Sequence, residues 1–108
     1  MSKYKNVKTT YKGITFDSRK EAERYIVLKS LQDRGLITDL KRQVRFQLLP
    51  AQKVNGKVVE KSVAYVADFT YMRNGELVVE DAKGMRTPVY NLKKKLMVWF
   101  YSIQIKEV

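Results

Sequence analysis

The chain of 108 residues is long enough for one domain with a single hydrophobic core, and it contains no cysteine and no histidine. Without these two residue types, disulfides, thiolate or imidazole zinc sites, Ser-His-Asp triads and Cys-His pairs are excluded. Lys and Arg number 22 against 11 Asp and Glu, and the formal net charge of +11 favours a polyanionic partner, with nucleic acid ahead of a membrane surface.

The same composition limits the chemistry and the location of the protein. Hydrolysis would have to rely on carboxylates, lysine, tyrosine and an oxygen-ligated metal such as Mg²⁺ or Mn²⁺. The longest apolar run, residues 96–101, is far shorter than a membrane span, and the N-terminal residues contain no hydrophobic export segment. We therefore expect a folded cytoplasmic protein that does not enter a membrane.

The elements at the beginning of the chain are short. We expect one domain over residues 1–108, with a polar, flexible segment at 1–10. Residues 11–16 are predicted to form a small hairpin that turns at Lys12-Gly13.

The first predicted helix covers residues 18–34. Ser18 is a favourable N-cap, and Gly35 is a favourable residue to end the helix. Its broad apolar face is formed by Ala22, Tyr25, Ile26, Leu28 and Leu31. Glu21 shares this face, so we expect its side chain to point toward the sheet. Two roles remain open for Glu21, a capping box with Ser18 or a ligand in a metal site, and the periodicity favours neither.

A strand is predicted over residues 42–49, followed by Asn55-Gly56, a favourable two-residue hairpin turn. Such a turn would place Gln43 opposite Asp68 in the next strand. Pro50 would fall at a hydrogen-bonded position of this register and could break it. Gln43 is therefore a weak site candidate, and an exposed strand glutamine is the alternative.

The strongest turn signal is Asn74-Gly75, which lies between two runs rich in β-branched and aromatic residues. A two-residue turn there pairs Asp68 with Asp81, and Lys83 projects from the same face as Asp81. Two like charges directly opposite each other destabilise a sheet, and a divalent cation held by oxygen ligands would offset their repulsion. We therefore predict a cation site at Asp68 and Asp81, with Lys83 beside it to hold a water or a phosphate.

An alternative for these three residues is an ion cluster at a solvated strand end, with no ligand. The apolar runs that precede Asp68 and Asp81 argue against it, because they place each charge at the end of an apolar strand. We therefore favour a partly buried site that is suited to cleaving phosphodiesters.

The second predicted helix begins with Thr87 as N-cap and Pro88 at the first helical position, and it continues over residues 90–101. Its inward face is predicted to consist of Val89, Leu92, Leu96, Trp99 and Phe100. Its outer side is expected to carry Lys93, Lys94 and Lys95. The alternating residues 102–108 predict a last strand, parallel to the strand at 76–83.

The predicted order of elements is αβββαβ after a small N-terminal β arm, with a mixed four-stranded sheet flanked by helices. Together with Glu21, Asp68 and Asp81-Ala82-Lys83, this order resembles the PD-(D/E)XK nuclease superfamily and its restriction-endonuclease-like α/β fold. The likeness is greatest to small phage-encoded members of unknown function that resemble Holliday-junction resolvases. It is carried by the segments FDSRKEAERY, LKRQVRFQL, YVADFTY and VVEDAKG, and Ala67 stands where many members have a proline.

The resemblance implies a role for each residue of the site. Asp68 and Asp81 would bind Mg²⁺ or Mn²⁺, with Glu21 and the backbone carbonyl of Ala82 as further ligands. Lys83 would position the attacking water and help to deprotonate it.

Phosphate contacts are predicted for Lys53, Lys57, Arg86, Lys93 and Lys94. A solvated helix face accounts for Lys93 and Lys94 equally well. Glu80 receives no ligand role, because it points to the opposite side of the strand from Asp81.

Resemblance and charge together predict a metal-dependent endonuclease acting on DNA, with branched DNA in phage recombination or replication as the expected substrate. The alternatives are a non-catalytic DNA-binding accessory protein on the same fold and a basic structural protein. Cleavage of a junction at two symmetric points would favour a homodimer.

Overall fold

The computed structural model describes residues 7–82 and 86–108. Along these residues the elements are β1 (Thr9–Tyr11), β2 (Ile14–Phe16), α1 (Arg19–Asp33), β3 (Thr38–Leu49), β4 (Gln52–Val54), β5 (Lys57–Glu60), β6 (Val63–Arg73), β7 (Glu76–Asp81), α2 (Pro88–Tyr101) and β8 (Lys106–Glu107). Of the segment predicted to be flexible, residues 1–6 lie outside the described residues, and Thr9 and Thr10 belong to β1.

Four strands form one mixed sheet in the order β3-β6-β7-β8. The pairs β3/β6 and β6/β7 are antiparallel and the pair β7/β8 is parallel, because α2 carries the chain back along the sheet between β7 and β8. The N-terminal arm is the β1–β2 hairpin, which turns at Lys12-Gly13 as predicted. The predicted fold class is confirmed.

Two apolar clusters hold the helices against the two faces of this sheet. Leu28 of α1 packs in one cluster with residues that include Val78, and Met97 of α2 packs in the other with residues that include Val79. Because successive strand residues point to opposite faces, Val78 and Val79 place α1 and α2 on opposite sides. Each buried side chain of this size stabilises the fold by about 1.5–3 kcal/mol.

The turn between β6 and β7 has the geometry that the sequence predicts. Asn74 and Gly75 have φ values of 51° and 79°, and two positive φ values in a two-residue loop are the requirement of a type I′ turn. The strand pairs then follow the predicted register, from Arg73↔Glu76 through Thr70↔Val79 to Phe69↔Glu80. Asp68 and Asp81 occupy the next position on each strand.

The register of β3 on β6 places Gln43 opposite Asp68, as predicted. The flanking pairs are Arg42↔Phe69 and Val44↔Ala67. Pro50 does not displace this register, because two irregularities near it cancel. The β4–β5 pairing shifts by one residue on the β5 side, at Val59, and the β3–β6 pairing shifts by one residue on the β3 side, at Leu48. Strand β3 also begins earlier than the predicted residue 42.

Helix α1 begins and ends at the predicted residues. The Ser18 hydroxyl accepts a hydrogen bond from the Glu21 backbone N–H at 3.1 Å, which is the N-cap interaction. At the other end Gly35 has a φ of 76°, a conformation that glycine adopts at little cost. The Glu21 side chain is buried, as its position on the apolar face predicts.

Helix α2 begins at Thr87 and Pro88 as predicted. Of its predicted inward face Leu96 packs against the core cluster, and the prediction is wrong for the other four residues. The residues of that face that are exposed are Val89, Leu92, Trp99 and Phe100. The sheet instead contacts the side of α2 that contains Tyr90 and Met97, and Lys93 and Lys94 at its borders are half-buried. Since α2 carries apolar residues around most of its circumference, periodicity alone does not decide which side packs inward.

The last strand is shorter than predicted, because β8 covers only Lys106–Glu107. Ser102 ends α2 in the left-handed conformation, with a φ of 55°, so the residues that follow first turn back toward the sheet. Neither helix of the described ranges is long and apolar enough to span a bilayer.

Candidate active site

Three buried carboxylates lie on α1 and on the two central strands, and Gln43 joins two of them, Glu21 and Asp68. Glu21 comes from the first turn of α1, Asp68 from the interior of β6 and Asp81 from the end of β7. All three side chains are buried. Their burial excludes the solvated strand end as an interpretation of Asp68 and Asp81.

Gln43 joins two of these carboxylates. Its side-chain Nε2 donates to Glu21 Oε1 at 2.9 Å and to Asp68 Oδ1 at 3.4 Å. Gln43 has a φ of 51° within strand β3, in the left-handed region that a non-glycine residue rarely adopts. Such strain persists only where the surroundings hold it, and it is concentrated at functional sites. The residue that the sequence indicates most weakly is therefore central to the cluster.

The alternation of side chains between the two faces of the sheet is interrupted in β6 at Asp68. Ala67 packs in the cluster beneath α2, whereas Phe69 packs in the cluster beneath α1. In a regular strand these two residues would share one face. The change occurs opposite the strained Gln43, and it brings Asp68 within reach of both α1 and the end of β7.

Backbone and side-chain donors hold the two aspartates in place. Asp68 Oδ2 accepts a hydrogen bond from the Ala82 backbone N–H at 2.8 Å, and Asp81 Oδ2 accepts one from the Tyr65 hydroxyl at 2.9 Å. Burial and the neighbouring Asp81 raise the pKa of Tyr65 well above its ordinary value, so this hydroxyl stays protonated and remains a donor. The orientation of both carboxylates is therefore fixed by the fold.

The pKa of Glu21 is raised by burial and by the negative charges of Asp68 and Asp17, and only partly lowered by Arg42 and Gln43. Within the described ranges, the buried Glu21 Oε2 has no hydrogen-bond partner. A buried ionised oxygen is costly unless it is paired or coordinates a metal. Among the described residues this oxygen therefore has no partner, although Arg42 lies near the other oxygen of the same carboxylate.

Arg42 is a further cation beside the cluster that sequence reasoning misses. Its Nη2 lies 3.8 Å from Glu21 Oε1, and its guanidinium lies over the Phe16 ring at 4.4 Å from the centroid. Arg42 Nε is buried without a hydrogen-bond partner among the described residues. Arg42 could have been considered from the sequence, because it is the chain neighbour of Gln43, which the predicted register places opposite Asp68.

The carboxylate of Glu21 should destabilise the fold at neutral pH. Because the folded-state pKa lies above the unfolded one, the folded protein binds more protons, and stability decreases as pH rises through this window. Glu21→Gln is expected to raise the free energy of unfolding at pH 8 by about 0.5–2 kcal/mol, as when strain at a functional site is relieved. The gain should shrink toward pH 4, where Glu21 is protonated.

Thermal unfolding at both pH values measures this effect, with Glu23→Gln as the control. Glu23 is exposed on the same helix and loses the same charge, so its variant should match the wild type. Added Mg²⁺ should raise the melting temperature of the wild type more than that of Glu21→Gln. Equal stability of the wild type and Glu21→Gln at pH 8 would contradict the destabilising effect of the Glu21 charge.

The resemblance implies a bound divalent metal ion at these carboxylates. No group of three acidic side chains within residues 7–82 and 86–108 is arranged as a metal centre. The donor chemistry nevertheless fits a hard cation, since the carboxylates of Glu21, Asp68 and Asp81 and the carbonyl of Ala82 offer only oxygen. The buried Glu21 Oε2 is the observation that fits a cation best.

Glu80 lies beside Asp81 in sequence but points to the opposite side of the strand, toward α1. It is fully buried and forms an ion pair with Arg24 of α1, in which Nη2 and Oε2 are 2.7 Å apart. The Tyr71 hydroxyl donates to the same carboxylate. This ion pair holds α1 against β7 at Arg24, one helical turn after Glu21.

The predicted phosphate-binding residues lie in two places. Lys53 and Lys57 are exposed on the β4–β5 hairpin, which forms a two-stranded sheet of its own. Lys93 is half-buried on α2. Lys83 lies outside the described residues.

Arg86 and Lys94 share one acidic partner. Their side-chain nitrogens lie 2.7 Å and 3.2 Å from Glu107 Oε1. A phosphate at this place would have to compete with Glu107, so these two cations are less available than Lys53 and Lys57.

The fold and the site define a mixed α/β protein with buried carboxylates on its first helix and its two central strands. The chain belongs to the family described as "Protein of unknown function (DUF1064)", whose model matches residues 1–107. No curated protein and no solved structure matches the chain.

Proposed function

We propose that the protein is a Mg²⁺- or Mn²⁺-dependent DNA endonuclease of the PD-(D/E)XK type. The observation that carries the proposal is the burial of Glu21, Asp68 and Asp81 on three separate elements, with the strained Gln43 donating to Glu21 and Asp68. Burying three acids costs stability, and a chain retains such a cost where the acids have a function.

Glu21, Asp68 and Asp81, with the Ala82 carbonyl, are the residues that would hold the cation. A bound Mg²⁺ or Mn²⁺ supplies a Lewis acid that polarises a phosphoryl oxygen and lowers the pKa of a bound water. Gln43 holds the side chains of Glu21 and Asp68 together. The Ala82 N–H orients one oxygen of Asp68, and the Tyr65 hydroxyl orients one oxygen of Asp81.

Arg42 is placed to act on the substrate. Its guanidinium is held over Phe16 and only loosely paired with Glu21, so it can donate to a phosphate oxygen beside the carboxylates. A fixed guanidinium there would stabilise the negative charge that develops on phosphorus during attack.

The charge distribution supports a DNA substrate. The formal net charge is +11, and the exposed β4–β5 hairpin carries Lys53 and Lys57 away from the main sheet. A two-stranded ribbon of this kind fits the major groove of a duplex. We further propose a branched DNA such as a four-way junction as the substrate, in the cytoplasm of a phage-infected bacterium.

Labelled linear, nicked, flap and four-way junction DNAs test the proposal when each is incubated with the protein in Mg²⁺, in Mn²⁺ and in chelator. Cleavage is expected only with a metal and is expected to be fastest on the branched substrates. Binding should weaken steeply as salt is added, because phosphate contacts release counterions.

A non-catalytic DNA-binding accessory protein is the second candidate. It is favoured by the lack, among the described residues, of three acids arranged as a metal centre. Salt-sensitive binding to the same DNAs with no cleavage in either metal would support this candidate and contradict the nuclease. Cleavage that persists at equal rate in chelator would contradict both.

A further inference from the structure

Helix α2 exposes a stripe of large apolar side chains to solvent. The exposed fractions are 61% for Val89, 56% for Leu92, 80% for Trp99 and 48% for Phe100. Single exposed apolar residues need no explanation, but a contiguous patch on a small protein marks an interaction surface. These residues lie on the side of α2 that faces away from the sheet.

The stripe has the spacing of a helix-pairing seam. Val89, Leu92 and Trp99 recur at intervals of three and seven residues, which is a repeat that lets two helices pack along their length, and Leu96 between them is half-buried against the core. Phe100 widens the seam on one side. Over these positions the stripe is about 16 Å long, at 1.5 Å per residue.

The size of the stripe is close to that of the apolar part of a dimer interface. A fully exposed aromatic side chain presents about 150–250 Å² and an aliphatic one less, so the four partly exposed residues present about 400 Å² together. A standard interface buries about 800 Å² per partner, and in homodimers about 65% of it is apolar. One copy of the stripe therefore supplies most of the apolar area that one partner needs.

We propose that this stripe is a homodimer interface, in which α2 of one copy packs against α2 of a second copy about a two-fold axis. A two-fold interface uses the same surface on both partners, and a seam of one helix satisfies this requirement by itself. The inference is independent of the nuclease function, because the stripe contains none of the carboxylate residues.

Nucleic acid fits this surface less well than a second copy does. Two of the four exposed residues, Val89 and Leu92, are aliphatic and offer no stacking surface for bases. Of the lysines on α2, Lys94 pairs with Glu107. The remaining lysines flank the seam and repel one another across a dimer.

This repulsion gives the dimer an unusual salt dependence. Added salt screens the flanking lysines and strengthens apolar association, so the dimer should become more stable as salt rises. Binding of nucleic acid should change in the opposite direction. Salt therefore separates the two occupants of the same surface.

Sedimentation velocity over a range of protein concentrations tests the proposal, in low and in high salt. The wild type is expected to reach twice the monomer mass, at lower concentration in high salt. Leu92→Glu should weaken dimerisation by about 30-fold or more, as for a buried interface residue. Val27→Glu is the matched control, since Val27 is 47% exposed on α1 and should tolerate the same change with dimerisation unaltered.

Trp99 provides a second measurement, because it is the only tryptophan of the chain. Its fluorescence should shift to the blue as the wild type dimerises, and should keep the emission of a solvated tryptophan in Leu92→Glu. A wild type that stays monomeric at all concentrations, with solvated Trp99, would overturn the proposal. A shift seen only when single-stranded oligonucleotide is added to the monomer would also overturn it, in favour of a base-stacking surface.

Discussion

Replacing Asp81 with asparagine is expected to lower the rate of metal-dependent DNA cleavage by about 1,000-fold, which corresponds to about 4 kcal/mol of lost transition-state stabilisation. The charge of Asp81 is lost from the carboxylate cluster, and an amide is a much weaker ligand for a hard cation. The fold should survive, because the amide oxygen of asparagine can accept the hydrogen bond from Tyr65 that Asp81 Oδ2 accepts at 2.9 Å.

Single-turnover cleavage of the best substrate in Mg²⁺ measures this effect, together with DNA binding and the melting temperature. Binding should be unchanged or slightly tighter, since the variant is one unit more positive. Glu76→Gln is the control, because Glu76 lies exposed at the other end of β7 and its loss changes the net charge equally. An Asp81→Asn variant that cleaves within about threefold of the wild type would contradict the role of Asp81.

The strand register of the site could be predicted from two dipeptides. Asn74-Gly75 fixes Asp68 against Asp81, since a two-residue type I′ turn leaves only one register. Asn55-Gly56 places Gln43 opposite Asp68 in the same way. The second prediction holds only because the irregularities at Val59 and Leu48 cancel, and nothing in the sequence reveals such a cancellation.

The contacts that assemble the site could not be predicted in the same way. Periodicity places Glu21 on the inward face of α1, but the choice between cap and site depends on where Gln43 lies in space. The Ser18 cap forms with the Glu21 backbone N–H, whereas the Glu21 carboxylate accepts from Gln43. The left-handed Gln43 is a tertiary effect that overrides strand propensity.

The error at α2 has a different cause. The helix carries two apolar sides, one with Tyr90 and Met97 and the other with Leu92 and Trp99, and hydrophobic periodicity is satisfied by either. The sheet selects the first because Met97 fills the cluster formed with Tyr65. Of the residues that the sequence predicts to be inward, Leu96 packs against the core and the other four are available for another contact.

Breaking the buried ion pair between Arg24 and Glu80 is expected to destabilise the fold by about 3–5 kcal/mol, a large part of the stability of a domain this size. Glu80 is fully buried, and Arg24 meets it with two hydrogen bonds, Nε to Oε1 at 2.8 Å and Nη2 to Oε2 at 2.7 Å. Glu80→Gln keeps the size of the side chain but leaves the guanidinium without a counter-charge. The melting temperature should fall by about 10–20 °C.

The control for Glu80→Gln is Asp33→Asn, because Asp33 forms an exposed ion pair with Lys29 at 3.4 Å on the same helix. Exposed pairs of this kind contribute less than about 0.5 kcal/mol. A fall in stability no larger than that of the control would contradict the importance of the buried pair. Replacing both partners, as in Arg24→Met with Glu80→Leu, should recover much of the loss, because no buried charge is then left without its partner.

Unfolding at alkaline pH tests the second contact of the Glu80 carboxylate, the hydrogen bond that it accepts from the Tyr71 hydroxyl. Burial and Glu80 raise the pKa of Tyr71 from 10.0 to about 12. The folded protein therefore binds the tyrosine proton more tightly, and this contribution to stability is complete below about pH 10 and is lost as pH rises through about 12. In Glu80→Gln the loss of stability between these pH values should be smaller, because one cause of the raised Tyr71 pKa is gone.

The same variant should also cleave DNA more slowly at temperatures where it is still folded. Arg24 lies one helical turn after Glu21, so losing its ion pair should also disturb the position of Glu21.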